Sequence, residues 1–89
     1  MHNYYVYILQ SQKDNSYYIG YSQNPESRLK KHNNANTGYT SSKKPWKLVY
    51  TEKYETKTLA IKREKYIKKQ KSVSFIRDLI EKKIGVLTN

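Results

Sequence analysis

Apolar and polar positions change period several times along the chain. Residues 4–9, YYVYIL, are aromatic and β-branched, which predicts a strand. Residues 10–16, QSQKDNS, are polar with an Asp-Asn pair, which predicts a turn. Residues 17–21, YYIGY, predict a second strand, antiparallel to the first. Setting Tyr7 opposite Tyr18 brings Val6 to Ile19 and Tyr5 to Gly20. One face of this hairpin then carries Val6, Ile8 and Ile19, which suits a core. The other carries Tyr5, Tyr7, Tyr18 and Gly20. A slip of one residue would mix the two sets.

Asn24-Pro25-Glu26 is a helix start, with a capping residue, Pro at the first helical position and an acid in the first turn. That helix runs to about Asn33–Asn34. Residues 33–45 then form a polar loop without periodicity, a length often kept for function. Residues 46–54, WKLVYTEKY, alternate, with Trp46, Leu48, Tyr50 and Tyr54 on one face and Val49 the exception. Thr56 or Thr58 caps a second helix through about Gln70. Ser72 or Ser74 caps a third, with Phe75, Ile76, Leu79 and Ile80 as its stripe and Gly85 as its stop. The order ββαβαα predicts an α/β fold: a three-stranded, largely antiparallel sheet flanked by helices. A single domain is expected over residues 1–89, its core about 4–84, without linker or repeat.

Charge narrows the partner. The 89 residues hold 18 Lys+Arg against 7 Asp+Glu, a net +11. Residues 1–42 carry a net +2 and residues 43–89 a net +9, a gradient that calls for a polyanion. With no Cys, disulfides, thiolate zinc sites and cysteine nucleophiles are excluded. No apolar run is long enough to span a membrane and no signal-peptide core is read, so a cytoplasmic location is expected. Acid–base chemistry falls to ten Tyr, two His and seven carboxylates.

Four constellations stand out. Gly20 interrupts a tyrosine-rich strand, which marks close approach of a ligand or of another backbone; plain aromatic packing across the hairpin is the alternative. Arg28 and His32 lie four apart on one helix face. They do not form an ion pair, and both suit a phosphate, unless that face is only solvated. Glu64 lies about 40° from Ala60 and about 60° from Ile67 on a helical wheel, so it leans inward among lysines. It either relieves charge or, as a lone carboxylate, ligates one Mg²⁺. Lastly, residues 43–71 interleave lysines with Trp46, Tyr50, Tyr54 and Tyr66, a pattern for phosphate contact with stacking.

YVY at 5–7, YIG at 18–20, Arg28 on the next helix and Glu64 on a later one resemble the GIY-YIG nuclease superfamily. PWKLVY at 45–50 and AIKREKYIKK at 60–69 are similar to its small single-domain bacterial members. The resemblance implies a GIY-YIG-like fold and metal-dependent, structure-selective hydrolysis of DNA phosphodiesters, branched or nicked DNA being the expected partner and RNA a further one. It implies catalytic roles for Tyr7, Tyr18, Arg28 and His32, with Tyr18, assisted by Tyr7 or His32, taking the proton of the attacking water and the choice of tyrosine as base left open. Glu64 would hold one Mg²⁺ or Mn²⁺. Tyr39, Lys43, Lys44, Lys47, Lys68 and Lys69 are the expected nucleic-acid contacts. The family's Asn about a dozen residues after the glutamate has no counterpart, and Ser72 or Ser74 stands in that stretch. A nucleic-acid-binding module of the same fold with weak or lost catalysis is the alternative.

Overall fold

The computed structural model describes residues 3–88, with side chains through residue 82. The ends of the expected 1–89 domain therefore lie outside the described residues. Three strands, β1 (Tyr4–Ser11), β2 (Tyr17–Ser22) and β3 (Trp46–Tyr54), form an antiparallel sheet of order β2-β1-β3. Helices α1 (Pro25–Asn33), α2 (Tyr39–Ser42), α3 (Lys57–Gln70) and α4 (Val73–Thr88) complete the order. The predicted ββαβαα arrangement holds, with α2 as an addition.

The hairpin register differs from the predicted one by two residues. Tyr7 faces Gly20, Ile8 faces Ile19 and Leu9 faces Tyr18. The turn sets this pairing. The Ser11 hydroxyl accepts the N–H groups of Lys13 and Asp14, and Asp14 Oδ1 accepts the N–H of Ser16. Asn15 takes φ 65°, which its short polar side chain tolerates. Ser11 and Ser16 are then joined by a 2.8 Å backbone bond. An even shift keeps each residue on its predicted face. Gly20 is explained by the same register. A Cβ there would lie 2.7 Å from the Tyr7 hydroxyl, so the close approach is that of the Tyr7 ring.

Central β1 is buried on both faces. Val6 and Ile8 pack with Ala60 and Ile67 of α3 and Ile76 of α4. Tyr7 and Leu9 pack with Trp46, and Tyr18, Leu29 of α1 and Leu48 close that side. Four consecutive core residues, Val6 to Leu9, are each no more than 1 % exposed.

In β3 the expected single face is split. Ile8 pairs with Tyr50 but Leu9 pairs with Leu48, leaving Val49 as an extra residue in the strand. Such a bulge resets the alternation. Trp46 and Leu48 thus join the Tyr7 side, while Val49, Tyr50 and Tyr54 pack on the Val6 side. The loop at 33–45 is tied down as well. The Asn33 amide bonds both backbone groups of Trp46, the Trp46 indole N–H donates to the Thr40 carbonyl, and Lys44 Nζ donates to the Ala35 carbonyl. These bonds hold α2, whose four residues are too few to show a period.

The helix caps agree with the sequence. Asn24 Oδ1 accepts the Ser27 N–H, Thr56 Oγ1 that of Leu59, and Ser72 Oγ that of Phe75. Gly85 is not a stop, since α4 continues to Thr88. A glycine costs a helix only about 1 kcal/mol, which does not by itself end one.

Candidate active site

A cleft of about 560 Å³ opens beside β2, between α1 and α3. Tyr7, Tyr18 and Gly20 come to it from the hairpin, Ser27 and Arg28 from α1, and Lys57 and Glu64 from α3. The register places Tyr7 across from Gly20, so its ring can lie over bare backbone and its hydroxyl can reach the cleft. Capping by Asn24 starts α1 so that Arg28, one turn in, shares the cleft with both tyrosines.

His32 stands behind this wall, one turn after Arg28. Its ring centroid is 4.5 Å from that of Tyr18, and its Nε2 is 3.5 Å from the Tyr7 hydroxyl. Tyr7 and Tyr18 stack at 6.3 Å, and Tyr18 meets Trp46 edge-on at 6.2 Å. Burial pushes the Tyr7 phenol up to about 12, helped by Tyr18 and Glu64 and opposed by Arg28. Burial also lowers the His32 pKa, and the cations Arg28 and Lys31 lower it further. At neutral pH Tyr7 therefore keeps its proton and His32 offers a free ring nitrogen.

Glu64 meets the cleft from the opposite side. Its side chain is 13 % exposed, with Lys68 Nζ at 3.3 Å one turn on. Among the described residues no three His, Asp or Glu group into a metal cage. Glu64 supplies the one carboxylate among the residues lining this cleft, which phenol and serine hydroxyls also line. That donor set fits Mg²⁺, which keeps several waters and takes one or two carboxylates. It does not fit a structural zinc site, which needs four closed N or S ligands.

Tyr7, Tyr18, Arg28 and Glu64 thus line one cleft, with His32 in contact with both tyrosines. Lys68 joins them only through Glu64. The other basic candidates lie elsewhere. Lys43 pairs with Asp14 and sits 5.2 Å from the exposed Tyr39 ring, so much of its charge is already answered. Lys44 is spent on the Ala35 carbonyl. Lys47 and Lys69 are exposed on β3 and α3. Ser72 and Ser74 bond to each other and Ser72 caps α4, and neither lines the cleft.

Two features escaped the sequence. Lys57 lines the cleft. Its signal was the spacing of seven to Glu64, which puts the two about 20° apart on a helix. Arg63, at the centre of the apolar stripe, reaches Glu52 of β3 with both ends of its fork, at 2.9 and 3.1 Å. Tyr50 and Tyr54 donate to the same carboxylate. The clamp fixes the turn of α3 next to Glu64.

Residues 3–74 match the GIY-YIG catalytic domain. A UPF0213 protein of Staphylococcus saprophyticus is 42 % identical over 82 residues, which cover 88 % of this chain and 99 % of that one. A UPF0213 protein of Clostridium perfringens is 52 % identical over 66 residues, covering 73 % of this chain and 70 % of the other. Among solved structures, the solution NMR structure of a UPF0213 protein from Bacillus halodurans aligns with a TM-score of 0.54 at 35 % identity. It covers 89 % of this chain and 83 % of its own.

Proposed function

Because the chain belongs to the GIY-YIG nuclease family, as one of its small bacterial members, we propose that it is a metal-dependent DNA endonuclease acting on branched or nicked structures. The observation that carries this reading is the meeting of Tyr7, Tyr18, Arg28 and Glu64 in one cleft, with His32 against both rings.

A phosphodiester seated in the cleft meets Arg28, whose fork holds the phosphoryl oxygens and stabilises the charge that grows on them. A water beside Tyr7 gives its proton to the phenolic oxygen as the phenol's own proton passes to His32 Nε2. The two moves leave Tyr7 neutral, so its raised pKa is no obstacle. His32 is a competent acceptor because burial and Arg28 keep it neutral. Tyr7 is favoured over Tyr18 as the group next to water, because its phenolic oxygen is the one that lies 3.5 Å from His32 Nε2. Tyr18 packs on the imidazole and holds its plane. Glu64 would hold one Mg²⁺ or Mn²⁺ at the cleft wall. The hydroxide formed from the water bonds to phosphorus as the bond to the leaving oxygen breaks. That oxygen takes a proton from water, and a bound ion would supply positive charge for it. Arg28 and Lys57 on the cleft wall address a phosphate, a contact that positions the substrate without reading its sequence.

One observation favours a second reading, a binder of weak activity. The serines in the stretch where many members carry Asn are used up on each other and on the start of α4. The test is to incubate labelled flap, fork, nicked and duplex DNA with the protein in Mg²⁺, Mn²⁺ or EDTA. Cleavage of branched or nicked substrates in either metal and not in EDTA is expected. Binding without cleavage moves the conclusion to the binder, and binding of structured RNA alone overturns both.

A further inference from the structure

The cleft uses one flank of α3, and the opposite flank carries an aromatic ring with no part in it. Tyr66 is 50 % exposed, with Leu59 at 48 % beside it. At about 100° per residue, Glu64 and Lys57 lie to one side of the seam buried by Ala60 and Ile67, and Leu59 and Tyr66 to the other. Around the solvent side between them run Lys65, Lys69 and Lys62, all exposed. The basic belt thus leads from the cleft across the helix to Tyr66.

The ring is fixed in place. Phe75 of α4 meets it edge-on at 6.0 Å, and the Arg63 guanidinium lies 5.5 Å from its centroid. Arg63 is itself held by Glu52. Little side-chain entropy remains to be lost when a flat partner docks on Tyr66.

The lysines ask for a polyanion, and the ring asks for an exposed π-face. A duplex would meet the lysines but hides its base faces in the stack. An acidic protein surface would meet them without needing the ring. A single strand offers both phosphates and open bases. We propose that the outer face of α3 is a binding site for single-stranded nucleic acid, with an unpaired base stacked on Tyr66 and its phosphates along Lys62, Lys65 and Lys69. For the strand's entry into the cleft, this rests on the nuclease reading. The site then selects substrates with an unpaired tail beside the cut.

The test is binding in EDTA, where no cutting occurs, of a blunt duplex and of the same duplex with a single-stranded tail carrying a fluorescent adenine analogue. Wild type should bind the tailed form more tightly and quench the analogue. Tyr66→Phe should behave as wild type. Tyr66→Leu, which keeps apolar contact with Phe75, should lose about fivefold or more in affinity for the tail, the loss of one stack, with blunt-duplex affinity unchanged. Equal losses on both substrates, no loss on either, or no quenching by wild type would overturn the proposal. Because cleavage of a nicked duplex is read separately, that failure is distinct from failure of the nuclease reading.

Discussion

A methyl group at Gly20 would sit 2.7 Å from the Tyr7 hydroxyl and 2.8 Å from the ring carbon that bears it. The ring would have to move, and its hydroxyl would leave His32. Gly20→Ala is therefore expected to cost about 1–3 kcal/mol in stability, as overpacking does. It should also slow cleavage at least tenfold, about 1.4 kcal/mol in the barrier, while DNA binding persists. Thermal unfolding and cleavage measured on one preparation check this; a variant that cuts at the wild-type rate removes the Tyr7–His32 contact from the mechanism. The pH behaviour has a defined sign. Tyr7 ionises near 10 in the unfolded chain and at about 12 when folded. Its contribution to stability is complete below about pH 10 and is lost as pH climbs towards about 12. Unfolding followed by circular dichroism should weaken across that window, and Tyr7→Phe should weaken less. His32 runs the other way. Its pKa is lowered, so cleavage should hold at neutral pH and fall only below the ordinary imidazole range. Replacing His32 with Gln should slow the reaction and flatten that limb of the rate profile.

Strands and helices were legible where one stretch of sequence carries its own period or cap. Asn24, Thr56 and Ser72 cap as expected because a cap is a local bond. The hairpin register was not legible, because it depends on the hydroxyl and carboxylate bonds of Ser11 and Asp14 inside the turn. The β3 bulge was visible only as one residue, Val49, out of step. It became a change of face once β1 supplied the partner register. For the site, Tyr7, Tyr18, Arg28, His32 and Glu64 were readable as residue types at telling positions. Lys57 and the Glu52–Arg63 clamp needed the packing of α3 on the sheet. Glu52 and Arg63 side chains are 16 % and 28 % exposed, so removing one leaves the other poorly solvated. Glu52→Gln and Arg63→Leu should each destabilise by about 1–3 kcal/mol. The double variant should lose less than their sum by about 1 kcal/mol or more. A double-mutant cycle from urea unfolding measures this; additive losses would mean that the pair does not hold α3. Arg63, Tyr50 and Tyr54 keep the Glu52 pKa low against the effect of burial. The clamp's stability is thus present above the ordinary carboxylate range and lost as pH falls through the lowered value.

At the scale of the whole molecule, the net +11 supports the proposed association with nucleic acid, and on the nuclease reading the sheet and helices set where phosphate is cut. Affinity should fall steeply with salt, by a log–log slope of about −0.9 per contacted phosphate on duplex DNA. Lys43 and Lys44 already have protein partners, so replacing the exposed Lys47 or Lys69 with Gln should flatten that slope more than replacing Lys44 with Gln. Salt titrations of the variants on one duplex decide it, and equal slopes for all would take the electrostatic role away from these lysines. On the nuclease reading, one carboxylate divides binding from cutting. Glu64→Gln keeps the shape of the side chain and removes its charge. Cleavage and binding of one labelled branched DNA in Mg²⁺, measured side by side for wild type and Glu64→Gln, test this most directly. The predicted result is a variant that binds at least as tightly as wild type and cuts at least tenfold more slowly. Cleavage by Glu64→Gln at the wild-type rate would contradict it.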